Sequence, residues 1–353
     1  MNIFELQPEL WARLQGRRAQ LPHALLISGQ RGIGKFDLAY AFAAGLLCEQ
    51  PDSRGQACGR CSACNWLSQG NHPDFRLVQP EALSGESAEA DEDTGKKKPS
   101  QQITIEQVRG LDDFLHVGTH RQGLRIVLLH PAEAMNRSTA NSLLKSLEEP
   151  LPGTLFLLVS SEPERLLPTI RSRCQCLDAP LPTAAVATAW LAGHKVQDAG
   201  RWLALAGGAP LLAAELATSG QRSLLDVLLG QLQRGAGLDP LAAAAAVEKT
   251  LKADKSGSLN MKRVVDWLQK WGTDLTLAAQ GLPVRYFAGE GATIGPLATP
   301  LTPSKLFNFN RKLCKYKAQS EHPLNSRLFL EEIFFGYRDL FVSQGGANVR
   351  TAR

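Results

Sequence analysis

The chain has 353 residues, long enough for two or three domains that each bury a core. Its 44% hydrophobic and 21% charged content is ordinary for a globular protein, and the longest apolar runs, such as 241–247, are too short to cross a bilayer. The formal net charge of +5 is mild: it permits nucleic acid as a partner without arguing for it. Residues 1–20 mix acids and bases with no apolar stretch before a cleavage site, so they do not read as a signal peptide. Seven cysteines without such a signal point to a reducing, cytoplasmic setting, where clustered thiols bind metal more often than they pair.

In chain order, the first half alternates short apolar runs with amphipathic stretches, which predicts an α/β domain with a mostly parallel sheet. Residues 24–28 (ALLIS) read as a buried strand, 35–47 as the helix after it, and 75–78 as a second strand. The clearest strands are 125–130 (RIVLLH) and 154–160 (TLFLLVS). Between them, 138–149 carries leucines at 143, 144 and 147 on one helical face and stops before Pro150. The stretch 81–100 holds six acids, three consecutive lysines and almost nothing apolar, the composition of a disordered, solvated surface loop. Beyond about Pro180 the strand-like runs vanish and helical patterns follow at 183–191, 198–206, 210–219, 224–233 and 241–251. The expected division is an α/β domain over 1–178, a small helical lid over 179–220 and an all-helical domain over 221–353.

Gly29-Gln-Arg-Gly32-Ile-Gly34-Lys35 follows the first strand and opens a helix. Glycines there let backbone N–H groups converge on an anion, the helix N-terminus adds its dipole, and Lys35 is placed to reach terminal phosphates. The next position of such a loop carries Ser or Thr for Mg²⁺; here it is Phe36, which offers no oxygen. The strand RIVLL, in place of the expected Asp-Glu, runs into His130-Pro131, a poor Mg²⁺ ligand and no base. Two losses in one site predict no ATP hydrolysis. Lys35 and the loop backbone leave nucleotide binding open.

Cys58-x-x-Cys61-x-x-Cys64, with Cys48 ten residues before Cys58, supplies four thiols at short spacing. This fits a closed, structural zinc site better than the rival readings, a redox C-x-x-C pair or unmetallated cysteines. Cys174, Cys176 and Cys314 read as core cysteines; His72 is an alternative ligand, although His-Pro-Asp reads better as a turn.

The succession LPHALLISG-QRGIGK, cysteine cluster, NHPDF, RIVLLHPAEAMN, ANSLLKSLEEP and TLFLLVSSEPERLLPTIRSRC resembles the bacterial clamp-loader AAA+ proteins of DNA polymerase III. The likeness is dense from about His23 to Cys174 and loose beyond. It implies a RecA-like AAA+ domain, a three-helix lid and a helical collar that joins five subunits in an open ring. That ring, with its motor and delta subunits, places the sliding clamp on primed DNA within the polymerase holoenzyme, a DNA-directed nucleotidyltransferase. Residue by residue, the resemblance assigns Ser160 to the position that reads the terminal phosphate. It assigns Arg173 of Ser172-Arg173-Cys174 to an arginine finger acting on the neighbouring subunit's ATP site, where the residue by itself reads as a surface arginine paired with a nearby acid, and Pro210 to the place of a second sensor arginine. Lys145 and Asn141 could face DNA, or equally line a solvated helix face; Arg311, Lys312, Lys315 and Lys317 read as the wet side of a helix. The departures favour the family's non-hydrolysing member. Two rival readings stay open: an active motor ATPase of the same machine, and a zinc-bearing AAA+ adaptor outside replication.

Overall fold

Leucine-, isoleucine- and valine-rich runs bounded by polar residues become strands covered on both faces, as parallel sheets require. The computed structural model describes residues 2–84, 99–120, 123–254, 259–320 and 325–342. Its strands are β1 (Ala24–Ser28), β2 (Phe75–Val78), β3 (Arg125–Leu129), β4 (Thr154–Ser160) and β5 (Gln175–Asp178). All neighbours pair parallel in the order β2-β3-β4-β1-β5. The three inner strands are buried at every position, while both edges carry exposed residues.

The chain divides into two compact units, Met1–Val186 and Ala187–Arg353. Helices of the first are α1 (Ile3–Leu6), α2 (Pro8–Gln15), α3 (Lys35–Leu47), α4 (Ser62–Ser68), α5 (Glu81–Ser84), α6 (Ile105–His116), α7 (Arg137–Glu148) and α8 (Pro168–Arg171). α6 and α7 start on side-chain caps, Thr104 and Asn136, each accepting a backbone N–H three residues on. Leu111 of α6 and Leu143 and Leu147 of α7 pack with Val127, Leu129 and Phe156 of the sheet. Each such leucine contributes about 1.5–3 kcal/mol by leaving water.

The insertion at 81–100 is only partly as expected. Its first residues form α5, and Ala82 N–H donates to the Ser100 carbonyl while Ser100 N–H donates to Glu81, so the two feet are tied together. Residues 85–98 lie outside the described residues.

α9 (Ala184–Gly193) straddles the division. The second unit continues with α10 (Ala199–Leu205), α11 (Pro210–Thr218), α12 (Arg222–Leu232), α13 (Pro240–Ala253), α14 (Met261–Ala279), α15 (Gly291–Ala298), α16 (Pro303–Gln319) and α17 (Ser326–Arg338). Its core is aromatic: Trp202, Trp267, Trp271, Phe334 and Tyr337 are fully buried. The Trp271 indole N–H donates to the Tyr337 hydroxyl at 3.1 Å, and that hydroxyl donates to the Leu232 carbonyl at 2.7 Å, so these two polar tips are satisfied.

Candidate functional sites

Because β1 lies beside β4 and β4 beside β3, the loops leaving their C-terminal ends bring residues 29–35, 130–133 and 160–161 to one edge of the sheet. That edge is where open α/β sheets hold ligands. The loop after β1 keeps the backbone of a phosphate cradle. Gly29, Gly32 and Gly34 have φ of 148°, 79° and 89°, and a Cβ on Gly29 would come within 2.8 Å of the Ala179 carbonyl. Gly34 caps the 13-residue α3.

Lys35 turns inward. It is 4% exposed, and its Nζ donates to the carbonyls of Gly29 (2.8 Å) and Gln30 (2.7 Å) and to the Ser161 hydroxyl (3.1 Å). Burial pulls its pKa down to about 8; the Glu133 carboxylate works against that shift and Arg31 adds to it. Glu133 also accepts the Ser161 N–H at 3.0 Å, which closes a brace between the loops after β3 and β4.

Phe36 and His130 hold the two positions where a metal-binding hydroxyl and carboxylate are expected, and they stack on each other with ring centres 4.5 Å apart and planes at 26°. Burial lowers the His130 pKa to about 4, against a smaller opposing pull from Glu133, so the ring is neutral near pH 7. A neutral imidazole stacked on a phenyl ring is a plug that offers no oxygen, not a seat for a hard cation.

Ser160, chosen from sequence, is fully buried and its hydroxyl accepts the Glu162 N–H at 3.2 Å. The hydroxyl that meets Lys35 belongs to Ser161, one residue past the strand end. The signal was present in the doubled serine of VSSE: neighbouring positions along a strand face opposite ways. In the second unit Pro210 opens α11 and carries no cation, as its sequence implies.

Arg173 follows α8 and keeps one third of its side chain exposed. Its Nη2 lies 2.6 Å from Glu148 Oε1, and its Nη1 donates to the Thr169 carbonyl at 2.9 Å. A surface ion pair with a nearby acid is the alternative that the sequence left open for Arg173, and the acid is Glu148. Asn141 and Lys145 are exposed on α7.

The cysteine cluster grows out of two helix ends. Cys48 caps the C-terminus of α3, and Cys61 caps the N-terminus of α4 with its sulfur accepting the Cys64 N–H. Cys48 Sγ accepts N–H groups from Gln50 (3.4 Å) and Cys58 (3.2 Å). The Cys48–Cys61 sulfurs are 3.9 Å apart, the Cys58–Cys64 sulfurs 4.0 Å, and all four lie within 4.8 Å of one another. Four sulfurs about 2.3 Å from one tetrahedral zinc would be about 3.8 Å apart, so this donor set fits a structural zinc. Backbone N–H groups of Arg60 and Cys61 hold the Cys58 thiol down to about 6, toward the thiolate that a metal needs.

His72 is no ligand here: it is buried, and its Nδ1 accepts the Asp74 N–H at 3.0 Å within the turn. Two of the three remaining cysteines correct the sequence reading. Cys174 is partly buried against the core, but Cys176 and Cys314 are exposed, the first on edge strand β5 and the second on the outer face of α16. On that helix Leu313 and Tyr316 are buried while Arg311, Lys312 and Lys315 are exposed, the expected wet side, and Lys317 is half-buried. No helix among the described residues is long and apolar enough to cross a membrane.

A parallel α/β domain with a glycine cradle at the carboxyl edge of its sheet, followed by a helical unit, is the AAA+ kind of P-loop protein. Residues 6–182, half of the chain, match the family described as DNA polymerase III, delta subunit, and the chain belongs to that family. DNA polymerase III subunit delta' of Pseudomonas aeruginosa is 44% identical over 225 residues, 63% of this chain and 63% of that one. Its counterpart in Escherichia coli K12 is 34% identical over 197 residues, 55% of this chain and 54% of that one. The matches thus span between half and two thirds of these relatives' lengths. Among solved structures, a DNA polymerase III gamma-subunit-related protein of Thermotoga maritima covers 95% of this chain at 19% identity and a TM-score of 0.47.

Proposed function

We propose that this chain is a non-hydrolysing subunit of the DNA polymerase III clamp loader, of the delta' type. In this reading it helps place a sliding clamp on primed DNA and lends Arg173 to the ATP site of a neighbouring motor subunit. The observation that carries the proposal is the Phe36–His130 stack in the place of Mg²⁺ ligands, on a chain whose Arg173 still reaches the surface. Family membership and the two delta' relatives support it.

The division of labour follows from the chemistry. Gly29, Gly32, Gly34, Lys35 and Ser160 are the remnant of a nucleotide site, kept as scaffold. Arg173 offers a permanent charge and a planar fork of donors to a phosphoryl group that gains charge in the transition state. Residues 179–220 would act as the lid and 221–353 as the collar that joins the motor and delta subunits in a five-membered ring in the cytoplasm. Cys48, Cys58, Cys61 and Cys64 would hold one zinc with no part in the chemistry.

The test is reconstitution with motor subunits, delta and clamp. Omitting this chain should abolish clamp loading on primed DNA, and the isolated chain should release no phosphate from Mg²⁺-ATP. A chain that neither joins the assembly nor is needed for loading would refute the proposal.

A further inference from the structure

Two acids, Glu148 and Glu149, close the 12-residue α7, where the helix dipole is negative and a carboxylate is locally disfavoured. Glu148 finds its compensation 25 positions further on. Its Oε1 lies 2.6 Å from Arg173 Nη2, while Arg173 Nη1 donates to the Thr169 carbonyl at 2.9 Å. The guanidinium is therefore gripped at both terminal nitrogens, by an acid on one helix and a carbonyl on another, while the side chain as a whole keeps a third of its surface open. Thr169 alone would leave the long side chain a free swing about the end of α8. A second anchor on a different element fixes its direction.

We infer that Glu148 is a positioning residue: it holds Arg173 pre-aimed at the surface, so that the arginine docks on a neighbour's phosphates without first being ordered. This rests on the reading of Arg173 as a finger. An ion pair so exposed contributes little to folding, so neutralising Glu148 should leave the chain intact. A finger acts on charge that develops in the transition state. Loosening it should lower kcat and leave the ATP concentration for half-maximal rate unchanged.

The experiment measures the rate of clamp loading on primed DNA, together with clamp- and DNA-stimulated ATP hydrolysis, by the complete clamp-loader complex, with assembly checked by mass. Glu148→Gln should slow the site that Arg173 completes by roughly tenfold, less than the ~10³ or more expected for Arg173→Ala. Glu148→Asp should recover part of the rate. The double variant Glu148→Gln/Arg173→Ala should be no slower than Arg173→Ala alone, because the acid acts only through the arginine. Unchanged or faster hydrolysis by Glu148→Gln, or additive losses in the double variant, would overturn the positioning role while the finger stands. A harmless Arg173→Ala would instead remove the finger, and Glu148's role with it.

Discussion

The loop after β1 and the turn after α8 belong to one domain, yet their cations have gone opposite ways. Lys35 is 4% exposed and bonded to carbonyls of its own loop, whereas Arg173 is one third exposed and held beside a surface acid. The first site keeps the backbone of a phosphate cradle and has turned its charge inward. The second pairs its charge with Glu148 at the surface and leaves a third of its side chain exposed. The loop backbone can thus keep its form beside a Phe36–His130 pair, because the glycines and the strand order fix that geometry independently of Mg²⁺ ligands.

The largest expected effect separates these two sites. Arg173→Ala should leave the chain folded and the complex assembled, yet slow the one ATP site that Arg173 completes by ~10³ or more. Total ATPase falls only by that site's share, so loading kinetics are the sharper readout. Arg173→Lys should rescue poorly, since a point charge cannot present a planar fork. Full activity in an intact ring would make Arg173 a structural side chain and end the contrast.

Next comes the metal. Wild-type chain should carry one zinc, and Cys61→Ser should lose it. Without the fourth ligand the segment 48–64 loosens, a destabilisation of about 2–5 kcal/mol that lowers the thermal midpoint by roughly 5–15 °C. Elemental analysis and calorimetry on the two proteins decide it. Zinc-free wild type would leave four thiols packed together with no metal to explain them.

How far the sequence foretold these sites depends on whether a property is local. The cradle, its missing hydroxyl at Phe36, the four cysteines and the inner strands all lie in short runs whose spacing dictates the geometry. The bounds predicted for β1, β4 and α3 match those observed. Edge strand β5 was not foreseen, because QCLD is mostly exposed and lacks the apolar run that marks an inner strand. Long helices α14 and α17 went unmarked too, although their buried residues recur at helical spacing (Val264, Leu268, Trp271 and Leu275; Leu330, Ile333, Phe334 and Tyr337), so that signal stood in the sequence. The Ser161 contact, the Glu148 pairing and the Phe36–His130 stack join residues 25 to 126 positions apart, and no local periodicity encodes them.

The stack also gives the inward-turned site a pH signature. His130 has a folded pKa of about 4 against an ordinary 6.5, so between these values the unfolded chain binds more protons than the folded one. The neutral ring's contribution is fully present above pH 6.5 and is lost as pH falls toward 4. Replacing His130 with Phe keeps an aromatic ring and removes the titration, so the variant's thermal midpoint should fall less steeply with acid across that window. Parallel curves for variant and wild type would mean that His130 takes up a proton at no cost, and that the plug is looser than its geometry.

The smallest effect is the most pointed test of how far the loop has been converted. Phe36→Thr restores the hydroxyl that a working loop uses for Mg²⁺, at the position stacked on His130. It supplies one oxygen only: His130 and Pro131 still stand where a metal carboxylate and a water-positioning acid are needed, and Lys35 is still satisfied by Gly29 and Gln30. Losing the ring-on-ring contact should cost about 0.5–1.5 kcal/mol, a fall of roughly 1–5 °C in thermal midpoint. Phosphate release from Mg²⁺-ATP by the purified variant should stay at the level of buffer. Measurable Mg²⁺-dependent turnover from this single change would show that the carboxylates are dispensable here and that Lys35 swings outward when a metal-bound phosphate competes for it. In that case the two cations would differ in occupancy rather than in design.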